Sequence, residues 1–472
     1  MLGTTEATQR THGATFAAIA VVLTVAGWLR FHNLGSESLW LDEVVSWTQA
    51  KDGLAALIQR TSQDNYPPLN NLAIFVAIKL LGTDEWSIRF PSAIFGLANI
   101  GVLYWLGTMT LGRKAALFGA AMLALSPFSV IYSQEARMYS LLALAATLYA
   151  ATCFYYLRAP STLRGAWISL SGLSLVYSHP YGLLDWIVIA LAFAALFLLP
   201  IWFSRRTILV WVTSNTIVAI GFMPWALILA GHARTIDAGG FWIPPLTTAF
   251  LSKELGALAG GKLFFGITLI GAVLGVVGAR RRDLAFLCAW VVVPLVVGIV
   301  VSILWQPMFL ARYVIGSHPP LLLLSGFGWT KYAKDWRSGI FSIVFVAAIA
   351  LASLPFLRRP VYAYPKDDWR SVASFLDTRM QPTDCVLVVP AYGAIPLGYY
   401  KRPLSCELGA KRIGDLPVTM PASALFGVFG LHNEQPTELS RVVEFTDELR
   451  RRGWHELYRT DFQGIRVVSY AR

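Results

Sequence analysis

The stretch Gly112–Leu144, GRKAALFGAAMLALSPFSVIYSQEARMYSLLAL, holds the decisive pattern of the chain. A basic pair, Arg113-Lys114, opens an apolar run; a short polar turn, SQEAR, interrupts it; a second apolar run follows. Each run is about as long as a helix needs to cross roughly 30 Å of hydrocarbon. The cations stand at one end of the first run and the mixed-charge turn at the other, so the two ends face different solvents.

The whole chain repeats this grammar. It has 472 residues, 56% hydrophobic and only 14% charged, against roughly 25% charged in a soluble domain. Apolar runs lie near residues 15–31, 90–110, 115–132, 139–157, 165–178, 183–203, 208–230, 263–279, 284–304, 313–330 and 339–356, which predicts about eleven helical spans, because a chain in lipid must satisfy its own backbone hydrogen bonds. Leu69–Leu81 is too short to cross and is expected to lie on the membrane surface. The net charge of +12 is a membrane signature here and not a nucleic-acid one, because the cations sit in alternate connections. Arg10, Arg113-Lys114, Arg158 with Arg164, Arg205-Arg206, Arg280-Arg281-Arg282, and Lys331 with Lys334 and Arg337 fall on one face, which is assigned to the cytoplasm. The loop 32–89, the SQEAR turn, SHPYG, the loop 231–262, QPMFLARY and everything after Leu357 then face outward. The first run has no small-residue cleavage site behind it and reads as a retained anchor in the cytoplasmic membrane.

The expected organisation is a transmembrane domain over 1–357 and a soluble α/β domain over 358–472. In the tail, DDWRSVASFLDTRM and RVVEFTDELRRRG read as amphipathic helices, CVLVVP and IRVVSY as strands. Cys385 and Cys406 pair only if this tail meets an oxidising compartment.

The outward polar groups are the candidate site. In SLWLDEVVSW (38–47), Asp42 and Glu43 stand in an aromatic run at the membrane edge. Adjacent residues on a helix diverge by about 100°, so at most one points at a given atom. Asp42 is either an N-cap or a reactive carboxylate. TSQDNYPPLNN adds Asp64, which also suits a plain turn, and Tyr66 before a rigid Pro67-Pro68 edge. Glu135 and Arg137, two apart on a helix, would be poorly placed to pair with each other; Tyr139 follows them. Arg89 and Arg312, the latter beside Tyr313, are outward arginines suited either to lipid headgroups or to bidentate grip of a phosphate. His179 reads as a structural histidine. No metal-ligand spacing, P-loop, dinucleotide fingerprint or Ser/His/Asp arrangement occurs, although Asp42 and Glu43 would suit a divalent cation in an oxygen-rich site.

In their order, LWLDE, the Pro-Pro loop, SIRFPSAIFGLANIGVLYWLG, the Gly112–Leu144 stretch and ARYVI resemble the GT-C glycosyltransferases that use polyprenyl-phosphate sugars. These comprise the protein O-mannosyltransferases and their bacterial relatives, the aminoarabinose transferases of lipid A and the galacturonosyltransferases of the lipopolysaccharide core. The resemblance implies that Asp42 is the catalytic base or acceptor-positioning carboxylate, that Glu43 completes the motif, and that the donor is one sugar on a polyprenyl monophosphate. The acceptor would be a lipid, glycan or protein hydroxyl. Where family members carry His before the two prolines, this chain has Tyr66. Two other readings are a transporter of lipid-linked sugars and an envelope polysaccharide polymerase or ligase. Transporters place ionisable groups near the membrane midplane, whereas here they gather in outer loops.

Overall fold

The structure, a computed structural model, describes residues 2–198, 204–236, 243–258, 260–277, 281–331, 338–357, 366–401, 406–410, 413–416, 424–431 and 436–472, with backbone alone at 2–12, 233–236, 338–339, 357 and 436–438. The side chain of Arg10, and Arg280, Lys334 and Arg337 entirely, lie outside the described residues. Two compact units are present. The first comprises Met1–His32, Gln49–Gly82 and Arg89–Tyr362; the second comprises Asn33–Thr48, Thr83–Ile88 and Ala363–Arg472.

The first unit is helical. Among the described residues six helices are long and apolar enough to cross a membrane: Gly13–Phe31, Glu85–Thr110, Tyr139–Arg158, Pro180–Leu198, Arg205–His232 and Arg282–Leu304. Two bent pairs raise the number to eight if each counts as one span. The protein is therefore a polytopic helical membrane protein. The remaining expected spans fall on helices of fewer than 18 residues, Thr162–Val176 and His318–Thr330, and on the helix Ser338–Leu357, whose apolar part Ile340–Phe356 is also short. The expected helix over Leu69–Leu81 is present.

One bent pair shows how sequence makes the break. Helix Arg113–Leu125 stops and Pro127–Ser133 restarts at 59° to it. Pro127 sits at the start of the second helix, where its missing N–H is not needed, and the Ser126 hydroxyl caps the amide of Ser129. The break strands carbonyls of the first helix, and Arg30, fully buried, supplies the donors: its guanidinium reaches Leu123 O and Ala124 O at 3.2 Å and Ser129 Oγ at 2.9 Å. Gly96 is required beside this knot, since a Cβ there would lie 2.0 Å from Ser133 Oγ. Close backbone approach recurs between Lys262–Val276 and His318–Thr330, where a Cβ on Gly328 would fall 1.8 Å from Gly271 O, the small-residue contact expected of helices packed in lipid.

The second unit is built on a five-stranded sheet of β1 (Cys385–Val389), β2 (Glu407–Gly409), β3 (Ala424–Gly430), β4 (His455–Phe462) and β5 (Ile465–Ala471), in the order β2-β1-β3-β5-β4. β1 pairs parallel with β2 and β3; β5 pairs antiparallel with β3 and β4. Every residue of β1 is buried, which explains its unbroken apolar run. Edge strand β4 instead alternates exposed and half-buried positions. One face packs Leu387, Phe429, Leu449 and Trp454; the other packs Trp369, Leu376, Val388 and Val467. The two helices and two strands expected in the tail are found at Trp369–Arg379, Pro436–Arg451, β1 and β5.

Cys385 and Cys406 form a disulfide, Cα to Cα 4.7 Å, tying β1 to the residue just before β2. The loop it closes spans 21 positions, so its loss should destabilise this unit by roughly 2–4 kcal/mol. Thermal melting of the full chain with Cys385→Ser and Cys406→Ser together should show that drop, and an unchanged transition would contradict it.

Candidate active site

In the first unit, six of the sequence candidates converge from four separate segments: Tyr66, Arg137 and Tyr139, His179, and Arg312 and Tyr313. The Tyr66 and Tyr313 hydroxyls meet at 2.9 Å. The Arg137 guanidinium lies 5.0 Å from the Tyr66 ring, and that of Arg312 lies 5.6 Å from Tyr139 and 5.8 Å from Tyr313, all within cation–π range. The His179 ring sits among Tyr313 (5.0 Å), Tyr66 (5.4 Å) and Tyr139 (6.1 Å). Arg137 is 4% exposed and His179 1%. Burial raises the Tyr66 phenol, with Tyr313 adding to it, so the phenol keeps its proton as a donor.

Local structure fixes each cation. Residues 134–138 are a bend between Pro127–Ser133 and Tyr139–Arg158, which removes the helical spacing assumed for Glu135 and Arg137. Within the bend the Arg137 amide donates to Glu135 O at 2.7 Å, and Ser92 Oγ donates to Arg137 O at 3.2 Å. Gln134 anchors it, its side-chain amide reaching Leu29 O and Arg30 O at 3.1 and 3.3 Å in the last turn of the first helix and His32 O at 2.9 Å just beyond it. Arg312 lies on the 3-10 turn Ala311–Ser317 ahead of His318–Thr330, and the amide of Ala311 is held by Glu254 Oε2 at 2.8 Å. Glu254, Gln134 and Arg30 were not foreseen from sequence. Only Arg30 carried a signal, as a cation closing an apolar run.

The other candidates are placed as follows. Asp64 accepts from the Asn65 amide (2.6 Å) and from Gln49 Nε2 (2.7 Å), so its turn role is met within a network that continues to Asn71. Glu135 is 8% exposed within the bend, and Arg89, 2% exposed, is buried near the start of Glu85–Thr110. Among the described residues no group of three or more His, Cys, Asp or Glu side chains is placed to hold a metal ion.

The acid pair belongs to the second unit. Asp42 and Glu43 lie in the first turn of helix Leu41–Ala50, so Asp42 is inside the helix and is not its N-cap. The capping contact comes from Glu43, which accepts from the Trp40 amide at 3.3 Å. Glu43 is fully buried and pairs with Lys366 Nζ at 3.1 Å; Asp42 is half-buried. The preceding chain is pinned around Glu85: Arg370 Nη2 reaches Glu85 Oε1 at 2.6 Å, and Tyr400 Oη accepts from the Leu39 amide at 2.6 Å and donates to Glu85 at 2.9 Å. Trp47 packs edge-on against Tyr399 at 4.8 Å.

The fold is shared with solved membrane proteins of low sequence identity. ArnT from Cupriavidus metallidurans in the apo state superposes with TM-score 0.62 at 15% identity, covering 98% of each chain. Its complex with undecaprenyl phosphate gives 0.58 at 14% identity, over 97% of this chain and 98% of that one. The archaeal oligosaccharyltransferase AglB from Archaeoglobus fulgidus, in complex with an inhibitory peptide and a dolichol-phosphate, gives 0.53 at 10% identity over 96% of this chain and 74% of that one. The family described as dolichyl-phosphate-mannose-protein mannosyltransferase matches residues 65–228, and no curated protein matches the sequence.

Proposed function

We propose that the protein is a membrane glycosyltransferase that moves one sugar from a polyprenyl monophosphate to an acceptor hydroxyl on the outer face of the cytoplasmic membrane. The observation that carries this reading is the cluster of buried Arg137 and Tyr313 with half-buried Arg312 and Tyr66, four donor side chains brought together by the ends of apolar helices. Such a set suits a phosphate monoanion or dianion carried by a lipid. The undecaprenyl phosphate and dolichol-phosphate bound to proteins of the same fold support that class of ligand. Sidedness is supported by the basic loops and by the Cys385–Cys406 disulfide, since disulfides persist in oxidising compartments. On the eleven spans expected from the sequence, the segment after Leu357 would emerge on the face opposite the N-terminus, the outer one.

In the reaction, the acceptor oxygen attacks the anomeric carbon and a new glycosidic C–O bond forms. The bond from that carbon to the phosphate oxygen breaks, and polyprenyl phosphate leaves with the electron pair. Asp42 takes the hydroxyl proton, a role assigned on the family resemblance. A single displacement inverts the anomeric configuration. Glu43, bound to Lys366 and the Trp40 amide, orients the motif and takes no proton. Arg137 and Arg312 stabilise the charge on the departing phosphate, with Arg89 a further cation for the same anion.

Each arginine–phosphate contact contributes about 1.5–3 kcal/mol. Arg137→Ala and Arg312→Ala should therefore each weaken polyprenyl phosphate binding roughly ten- to hundredfold in a titration of the purified chain in nanodiscs. Wild-type affinity in both variants would remove the cluster from the donor site.

A further inference from the structure

His179 occupies the centre of the cluster, yet neither arginine chemistry nor proton transfer employs it. A neutral imidazole has one N–H and one acceptor nitrogen, and its neighbours decide which is which. Here Nδ1 accepts the backbone N–H of Tyr181 at 3.1 Å, at the start of helix Pro180–Phe193. The proton therefore resides on Nε2. Burial, aided by Arg137 and Arg312, pushes the imidazole pKa down to about 3, so the ring is uncharged at neutral pH. The ring is 1% exposed, and Nε2 has no hydrogen-bond partner among the described residues. Buried donors are nearly always satisfied, so a donor left open inside a cluster calls for a ligand.

The ring's surroundings identify that ligand. Tyr66, Tyr139 and Tyr313 flank it at 5.0 to 6.1 Å, and the two guanidinium groups lie close enough to bias its titration. We infer that His179 is a phosphate-binding residue, whose Nε2–H donates to an oxygen of the same phosphate that Arg137 and Arg312 hold. This rests on the proposed lipid-phosphate donor and adds to it a neutral third donor. Two cations and a neutral N–H favour the anion over an uncharged lipid alcohol, and the neutral donor brings no further charge to be buried.

The test is the affinity of the full chain, in nanodiscs, for three probes: a polyprenyl monophosphate, the corresponding polyprenol, and inorganic phosphate. His179→Leu should weaken binding of the lipid phosphate roughly tenfold or more and leave polyprenol binding unchanged. His179→Gln, which retains an N–H donor, should keep most of the affinity. Wild-type affinity in His179→Leu, with Arg137→Ala impaired, would overturn the histidine's role and leave the donor site standing; wild-type affinity in both would overturn the two together. Equal losses for lipid phosphate and polyprenol would reduce His179 to a shaping residue and overturn the inference. Inorganic phosphate binding as tightly as the lipid would make this a free-anion site and contradict it. Should His179→Leu fail to fold, wild-type protein with 15N-labelled histidine decides: the Nε2 resonance shifts on adding lipid phosphate, and a stationary resonance refutes the contact.

Discussion

Asp42→Asn should lower the rate of sugar transfer by roughly 10²- to 10⁴-fold, the range over which a positioned general base acts, while donor binding stays near the wild-type value. The substitution is nearly isosteric and removes the basicity and the charge of the carboxylate. The local fold should survive it. Asp42 is half-buried, its backbone carbonyl accepts from Ser46 Oγ at 3.0 Å, and the helix start is capped through Glu43. The lost charge in the first turn of Leu41–Ala50 changes stability by about 0.3–1 kcal/mol. Initial rates measured beside polyprenyl phosphate affinity separate the two effects. Full turnover in Asp42→Asn would assign the proton elsewhere.

The second large effect is on stability. Lys366→Met should destabilise the second unit by about 3–5 kcal/mol, because it removes the ammonium facing a fully buried Glu43 carboxylate. For a domain of this size that lowers the melting temperature by roughly ten degrees or more. The pair is shielded, Lys366 being 8% and Glu43 0% exposed, so solvent screening does not discount it as it would a surface ion pair. Adding Glu43→Gln to Lys366→Met should recover most of the loss, since both charges then go together. A calorimetric transition unmoved by Lys366→Met would mean that the contact contributes nothing. Because Glu43 and Lys366 stand 323 positions apart, the same experiment tests the association of the first-loop motif with the tail.

What the sequence discloses depends on how local the physics is. The long apolar runs and the breaks between them are local, and Gly13–Phe31, Tyr139–Arg158 and Arg282–Leu304 fall where hydropathy puts them. Thr162–Val176 and His318–Thr330 are harder, because burial among other helices relaxes the length that lipid imposes. In the tail, the unbroken CVLVV run and the amphipathic Trp369–Arg379 were legible, whereas β4, with alternating half-exposed positions, and β3, carrying a central Gly427, gave weak signals.

The candidate site was legible as a set of residues and not as an arrangement. Tyr66 and Tyr313 touch across 247 positions, and no periodicity links them. The role of His179 depends on a backbone amide two residues away that only the turn at Pro180 aims at Nδ1. The Asp42-Glu43 pair shows the same limit. Adjacency said that the two carboxylates must part, but only the fold says that Glu43 turns inward to Lys366.

The central claim is that this fold transfers a sugar from a lipid phosphate. Its most direct test presents membranes bearing the wild-type chain with a panel of polyprenyl monophosphates, each carrying a different radiolabelled sugar, and follows label into the envelope fraction. The account predicts that one donor labels an acceptor and releases free polyprenyl phosphate in equal amount. Label that crosses the bilayer still attached to its lipid, with no donor consumed, would contradict the account and make the protein a transporter.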